Sequence, residues 1–222
     1  MPQFLRLMTM MIVASVFSGT ACRAQRASQD MLQTTISLEH QVSSVSDQLN
    51  AIVTRARIPS GIESYSPDCN KKAERDFPSF NGTIADALQS VVSVDNSYSW
   101  HQEHGVLMIQ ANNRRPSVVD VVVRSFSFRR SDDVTKISGD LFTSPEVIQY
   151  KSEHKLRQLI HHLGFETSPM QSEKEETPIL LKDVTVREAL NVIATMDHPK
   201  VWIYRESSCD GRVSFSVTWT LR

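Results

Sequence analysis

Glycine is scarce, with 7 residues in a chain of 222, and no glycine-rich run exists to cradle a phosphate. Only 3 cysteines occur, none at Cys-x-x-Cys spacing. His-Glu-x-x-His is missing as well, so neither a dithiol nor a zinc signature is present. No Gly-x-Ser-x-Gly elbow marks a nucleophile. An excess of one charge is also lacking. Against 24 Lys and Arg stand 25 Asp and Glu, a formal net charge of -1, and no overall field draws the chain to nucleic acid or to an anionic membrane. The basic pairs Arg114-Arg115 and Arg129-Arg130 read as solvated surface. Past the N-terminal region no apolar run approaches the ~20 residues that cross a bilayer. These absences set the expectations: no catalytic residues, no metal, no cofactor, no nucleic acid and no transmembrane span in the mature chain.

The N-terminus reads as an export signal over residues 1–24. Arg6 supplies the positive start, Leu7 to Phe17 the short apolar stretch, and Ser18, Gly19, Thr20 and Ala21 the small residues that follow. Cleavage fits after Ala21 or after Ala24. A lipidated Cys22 is the alternative, but Gly19 stands where such signals usually carry Leu. The expected location is therefore the periplasm or cell envelope.

One short pattern occurs three times. Ser44-Val45-Ser46-Asp47-Gln48-Leu49 is echoed by Thr83-Ile84-Ala85-Asp86-Ala87-Leu88 and by Thr185-Val186-Arg187-Glu188-Ala189-Leu190. A hydroxyl followed by an acid three places on is the start of a capped helix: the hydroxyl accepts from the acid's N–H, and the carboxylate reaches back to the cap's N–H. Glu reaches better than Asp, so the third copy is the best box. A shift of 102 positions carries the second copy onto the third without a gap, laying Val91 on Ile193 and Trp100 on Trp202. A repeated helix start with an aromatic strand at fixed distance points to a duplicated α/β unit.

Period-two alternation and turn residues fill in the rest. Residues 30–65 read as a β-α-β unit with a strand at Thr34 to Glu39. Residues 76–112 read as a β-α-β-β unit, its hairpin turning at His104-Gly105. Residues 113–170 are a connecting segment: a strand over Val118 to Phe128, a polar loop over Arg129 to Asp140, and a helix from Val147 to Leu163 ended by Gly164. Residues 176–222 repeat the second unit, its hairpin turning at Asp210-Gly211. The fold class expected is α+β, with mixed or antiparallel sheets and helices packed on one face.

Few side chains suggest chemistry. His101 and His104 sit three apart in a strand and face opposite sides. His154, His161 and His162 lack partners of the right spacing for a metal, and Glu173, Glu175 and Glu176 fall in a polar loop. Cys69 and Cys209 both lie in loops, and in an oxidising compartment they are the candidate disulfide; two separate thiols are the alternative. Trp100, Trp202, Tyr204 and Trp219 read mainly as sheet packing, with Tyr204 and Trp219 the candidates for exposed partner contact.

The repeated units resemble the short N-terminal domain of secretins and TonB-dependent receptors, known as STN. The residues that carry the resemblance are Asn81 to Leu88 with Tyr98-Ser99-Trp100 and His104 to Ile109, and Lys182 to Leu190 with Val201 to Tyr204. The resemblance implies a non-catalytic unit that contacts other envelope components or, in signalling receptors, a membrane-bound anti-sigma regulator. No barrel, plug or pore sequence accompanies the units here. The expected function is an exported interaction or scaffold protein that meets envelope proteins through open sheet edges. The rival expectation is an exported enzyme with its active site between units, and a third is a signalling partner of an anti-sigma regulator.

Overall fold

The structure is a computed structural model that describes residues 31–66, 73–159 and 176–220. The fold is α+β, built around one mixed six-stranded sheet, with five helices among the described residues. At the centre of the sheet lies β3 (Ser60–Ser66). On one side it pairs in parallel with β7 (Val106–Ala111), whose hairpin partner is β6 (Tyr98–Glu103). On its other side β3 pairs in parallel with β11 (Val201–Cys209), the first strand of a hairpin with β12 (Arg212–Thr220). A two-residue strand, β9 (Arg157–Gln158), covers part of β12. Residues from all three expected units thus share one sheet.

Alternation along these strands assigns the two faces. Leu107, Ile109, Val201, Ile203 and Ile62 join one apolar core with α1 (Val45–Ala56) and α2 (Ile84–Val94). Val106, Met108, Trp202, Tyr204, Phe215 and Trp219 join a second core with α3 (Val134–Phe142), α4 (Pro145–Glu153) and α5 (Val186–Ala194). Helices therefore cover both faces, which corrects the expectation of one covered face. The physical reason is in the strands: Val106 to Ile109 and Val201 to Tyr204 are continuously buried, as strands covered on both sides must be. Each large apolar side chain removed from water here is worth about 1.5–3 kcal/mol. Gly61 is required by the second core, because a Cβ there would overlap the indole of Trp202 and come within 2.9 Å of Met108 Sδ.

The three helix starts form as read. Ser44, Thr83 and Thr185 accept from the N–H groups of Asp47, Asp86 and Glu188 at 3.2, 3.1 and 3.1 Å. Glu188 alone returns the bond, accepting from the Thr185 N–H at 2.7 Å. That reciprocity makes the third cap the complete box. Both hairpins turn through two residues of positive φ: His104 and Gly105 at 49° and 81°, Asp210 and Gly211 at 49° and 73°. These are the primed turns that match strand twist.

Outside the main sheet the described residues form three two-stranded ribbons. β1 (Thr35–Leu38) pairs with β5 (Phe80–Thr83), β2 (Gln41–Ser44) with β4 (Glu74–Phe77), and β8 (Val122–Phe128) with β10 (Ile179–Thr185). Pro78 separates β4 from β5, since it cannot donate to a ladder. The connecting segment departs from expectation in three places. Val118–Asp120 is a 3-10 turn, so β8 begins only at Val122. The expected loop over 129–140 contains α3, capped by Asp133 on the N–H groups of Thr135 and Lys136. Val134, Ile137, Leu141 and Phe142 supply its buried stripe. The expected long helix stops at Glu153, where the chain turns through Lys155 at φ 52° into β9. Residues 160–163 and Gly164 lie outside the described residues.

Candidate functional site

The first candidate is the outer side of β6, the terminal strand of the main sheet among the described residues. In a two-residue hairpin the closing pair, Glu103 and Val106, exchanges hydrogen bonds, and every second pair does the same. Two contacts fix that alternation: Leu107 N–H donates away from β6 to Pro59 O at 2.9 Å, and Asn112 N–H donates to Ser97 O at 2.7 Å. Trp100, opposite Ile109, falls in a pair that does not exchange bonds. Its N–H and C=O therefore point outward. No described strand pairs with this side. β6 reads Tyr-Ser-Trp-His-Gln-Glu, without the Lys or Pro that commonly guard an edge. Tyr98 and Trp100 lie half-buried against the core with α1 and α2, while Ser99 and His101 are exposed on the other face.

The second candidate is a buried ionic network on the opposite face of the sheet. Glu63, in the middle of β3, is fully buried. Its carboxylate accepts from the Arg187 guanidinium through Nε and, at 3.1 Å, through Nη2. It also accepts from Arg114 Nε and Gln110 Nε2, both at 3.2 Å. Arg187 and Arg114 share a second carboxylate, Asp120, which Arg187 Nη2 reaches at 2.8 Å. Asp120 also accepts from the Ser117 N–H at 3.0 Å. The cluster ties β3 to the first turn of α5 and to the chain leaving β7.

A chain of hydroxyls links this network to a second buried acid. Tyr65 OH lies 2.9 Å from Ser117 Oγ, and Tyr204 OH donates to Glu206 Oε2 at 2.5 Å. Arg115 donates from Nε and Nη2 to Glu206 Oε1, both at 3.1 Å. Burial, then the Glu63 charge, pushes the Tyr65 phenol up to about 12. Burial and the adjacent Glu206 hold Tyr204 far above the ordinary phenol range. Both phenols therefore act as neutral donors. Beside Glu206 opens a cleft of about 230 Å³ lined by Tyr65, Ser66, Asn113, Arg115, Glu206 and Ser208.

The residues singled out by sequence are placed as follows. Tyr204 is fully buried and Trp219 is 6% exposed, so neither offers an exposed partner contact. Their rings belong to the second core, Tyr204 stacked on Phe215 and Trp219 donating to Ser138 Oγ at 2.6 Å. Arg114 and Arg115 are at the surface, as read, and are also ion-paired with the buried carboxylates of Glu63 and Glu206. Cys209 ends β11, and Cys69 lies outside the described residues. His101 Nε2 lies 3.9 Å from Glu103 Oε2, but among the described residues no group of three or more His, Cys, Asp and Glu is placed to hold a metal ion. His161, His162, Glu173 and Glu175 lie outside the described residues; Glu176 accepts from the Ser131 N–H at 3.0 Å. Among the described residues no helix is long and apolar enough to cross a membrane.

Glu63, Arg187 and Glu206 escaped the sequence reading. The available signal was a Glu between Ile62 and Tyr65, in a segment otherwise fit for burial, since an unpaired buried carboxylate is prohibitively costly and demands a cation. Its partner is 124 positions away, so no local spacing could name it. Comparison with protein-family models and with curated proteins finds no match to this chain.

Proposed function

We propose that this chain is an exported, non-catalytic interaction protein of the bacterial envelope, built of STN-like units, and that it engages a protein partner by strand addition along β6. The observation that carries this reading is the outward-facing backbone of Trp100 on an unguarded terminal strand. Main-chain hydrogen bonds supply affinity in such an addition, and alternate side chains supply specificity. Tyr98 and Trp100 would meet the apolar positions of the incoming strand, Ser99 and His101 its polar ones.

The two hairpins lend support to the repeat. β6–β7 and β11–β12 occur in the same order across the sheet but run in opposite directions. Trp100 packs on the face of α2 and Trp202 on the face of α5. A half-turn about an axis across the strands relates two such units. The enzyme reading finds less support. The carboxylates of Glu63 and Glu206 are each committed to arginine, whereas a general base must aim a lone pair at substrate.

The test is capture from native envelope with the mature chain as bait, in parallel with a Ser99→Lys/His101→Lys variant. Both positions are exposed, and edge lysines oppose strand addition. The wild-type chain should retain a partner that the variant loses at unchanged melting temperature. Identical retention by both, or none by either, would defeat the reading.

A further inference from the structure

We propose that the cleft beside Glu206 binds a neutral, polyhydroxylated molecule the size of one sugar ring. Three parallel strands define its place. β7, β3 and β11 run in the same direction, and the cleft is lined by residues at or just past their carboxyl ends: Asn113 and Arg115, Tyr65 and Ser66, Glu206 and Ser208. In open sheets with parallel strands, that end is where ligands bind. A larger hollow of about 350 Å³ between the 3-10 turn and α4 has an acidic rim of Asp120, Glu146 and Glu153 and lies away from these three strand ends.

The charges in the cleft choose the ligand class. Arg115 is half exposed, and its charge is matched by Glu206, whose side chain is 4% exposed. The neighbouring network balances likewise, Glu63 and Asp120 against Arg114 and Arg187. A charged ligand would meet no uncompensated charge. A neutral one can still take charge-assisted hydrogen bonds, which are roughly twice as strong as neutral ones. Arg115 spends two of its five N–H donors on Glu206. The Glu206 carboxylate has about four lone-pair sites and accepts three bonds. Asn113 and Ser208 add groups that donate and accept, as sugar hydroxyls do, and Tyr65 adds an aromatic wall. The volume of about 230 Å³ is below that of a drug-sized pocket and suits a single ring.

The mature chain is titrated by protein NMR with glucose, galactose, N-acetylglucosamine and inositol, and with acetate and phosphate at matched ionic strength. At least one of the four neutral probes should saturate by about 50 mM, as a millimolar Kd requires, while the anions should not. Asn113→Ala and Ser208→Ala lie outside the Glu206–Arg115 pair, and each should weaken binding about tenfold with the fold intact by circular dichroism. Saturation by the anions, silence of all four neutral probes, or neutral binding that both variants leave unchanged would overturn the proposal. The Ser99→Lys/His101→Lys chain should bind as wild type does, so this site and the β6 edge stand or fall separately.

Discussion

Arg187→Met removes the two closest donors of a fully buried carboxylate. Glu63 would keep Arg114 and Gln110, each at 3.2 Å, and a distant Tyr65 hydroxyl at 3.5 Å. Breaking one partner of a buried pair costs about 3–5 kcal/mol, because the other charge is left uncompensated. Arg114 moderates that loss, and since its side chain is 31% exposed it cannot replace Arg187 in full. We expect about 3 kcal/mol. Glu63→Leu should cost less, about 2 kcal/mol, since Arg187 keeps Asp120 at 2.8 Å. The double variant removes both members of the pair, so neither is left as a buried charge without the other, though the contacts of Arg114 and Gln110 to Glu63 are still lost. Its loss should fall short of the sum of the singles by about 2 kcal/mol. Urea unfolding followed by far-UV circular dichroism measures all three, with an unchanged m-value as the check on two-state behaviour. An Arg187→Met loss below about 1 kcal/mol, or a double variant that adds to within ~0.5 kcal/mol, would refute the coupling.

Three further outcomes are expected. Thr185→Ala should lower stability by about 1 kcal/mol, the usual size of a lost N-cap, and an unchanged unfolding free energy would contradict the box seen at Glu188. Because the fold raises the Tyr65 phenol to about 12, its contribution is complete below the unfolded value of about 10 and is lost as pH rises toward 12; an alkaline unfolding profile that Tyr65→Phe leaves unaltered would argue against this. A Cys69–Cys209 disulfide is also proposed, supported by the parallel register that sets Ser66 opposite Ser207, three and two residues before the two cysteines. The bond would close a loop of roughly 140 residues, worth about 5 kcal/mol in the chain-entropy model. Titration of the protein recovered from the periplasm of an expression host, in denaturant without reductant, should find neither thiol, and two reactive ones would rule the bond out.

Local chemistry alone determined much of this protein. A hydroxyl and an acid three residues apart start a helix wherever they occur, so Ser44, Thr83 and Thr185 were legible, and so was the superior cap at Glu188. Two-residue turns at His104-Gly105 and Asp210-Gly211 need positive φ, and the flanking β-rich runs declared both hairpins. The helix at Val134 was equally present in its Asp133 cap and apolar spacing, but its polar neighbours outweighed that pattern. Tertiary structure decided what spacing cannot carry. Whether a strand is covered on one face or two depends on which helices arrive from elsewhere in the chain, and that placement buried Tyr204 and Trp219. The long helix expected after Val147 yields at Lys155 because β12 offers its edge to β9. Arg114 and Arg115 look like surface charge until Glu63 and Glu206, dozens of residues away, are brought beneath them. Pairing a buried charge is a long-range requirement, and only the folded chain shows which cation meets it.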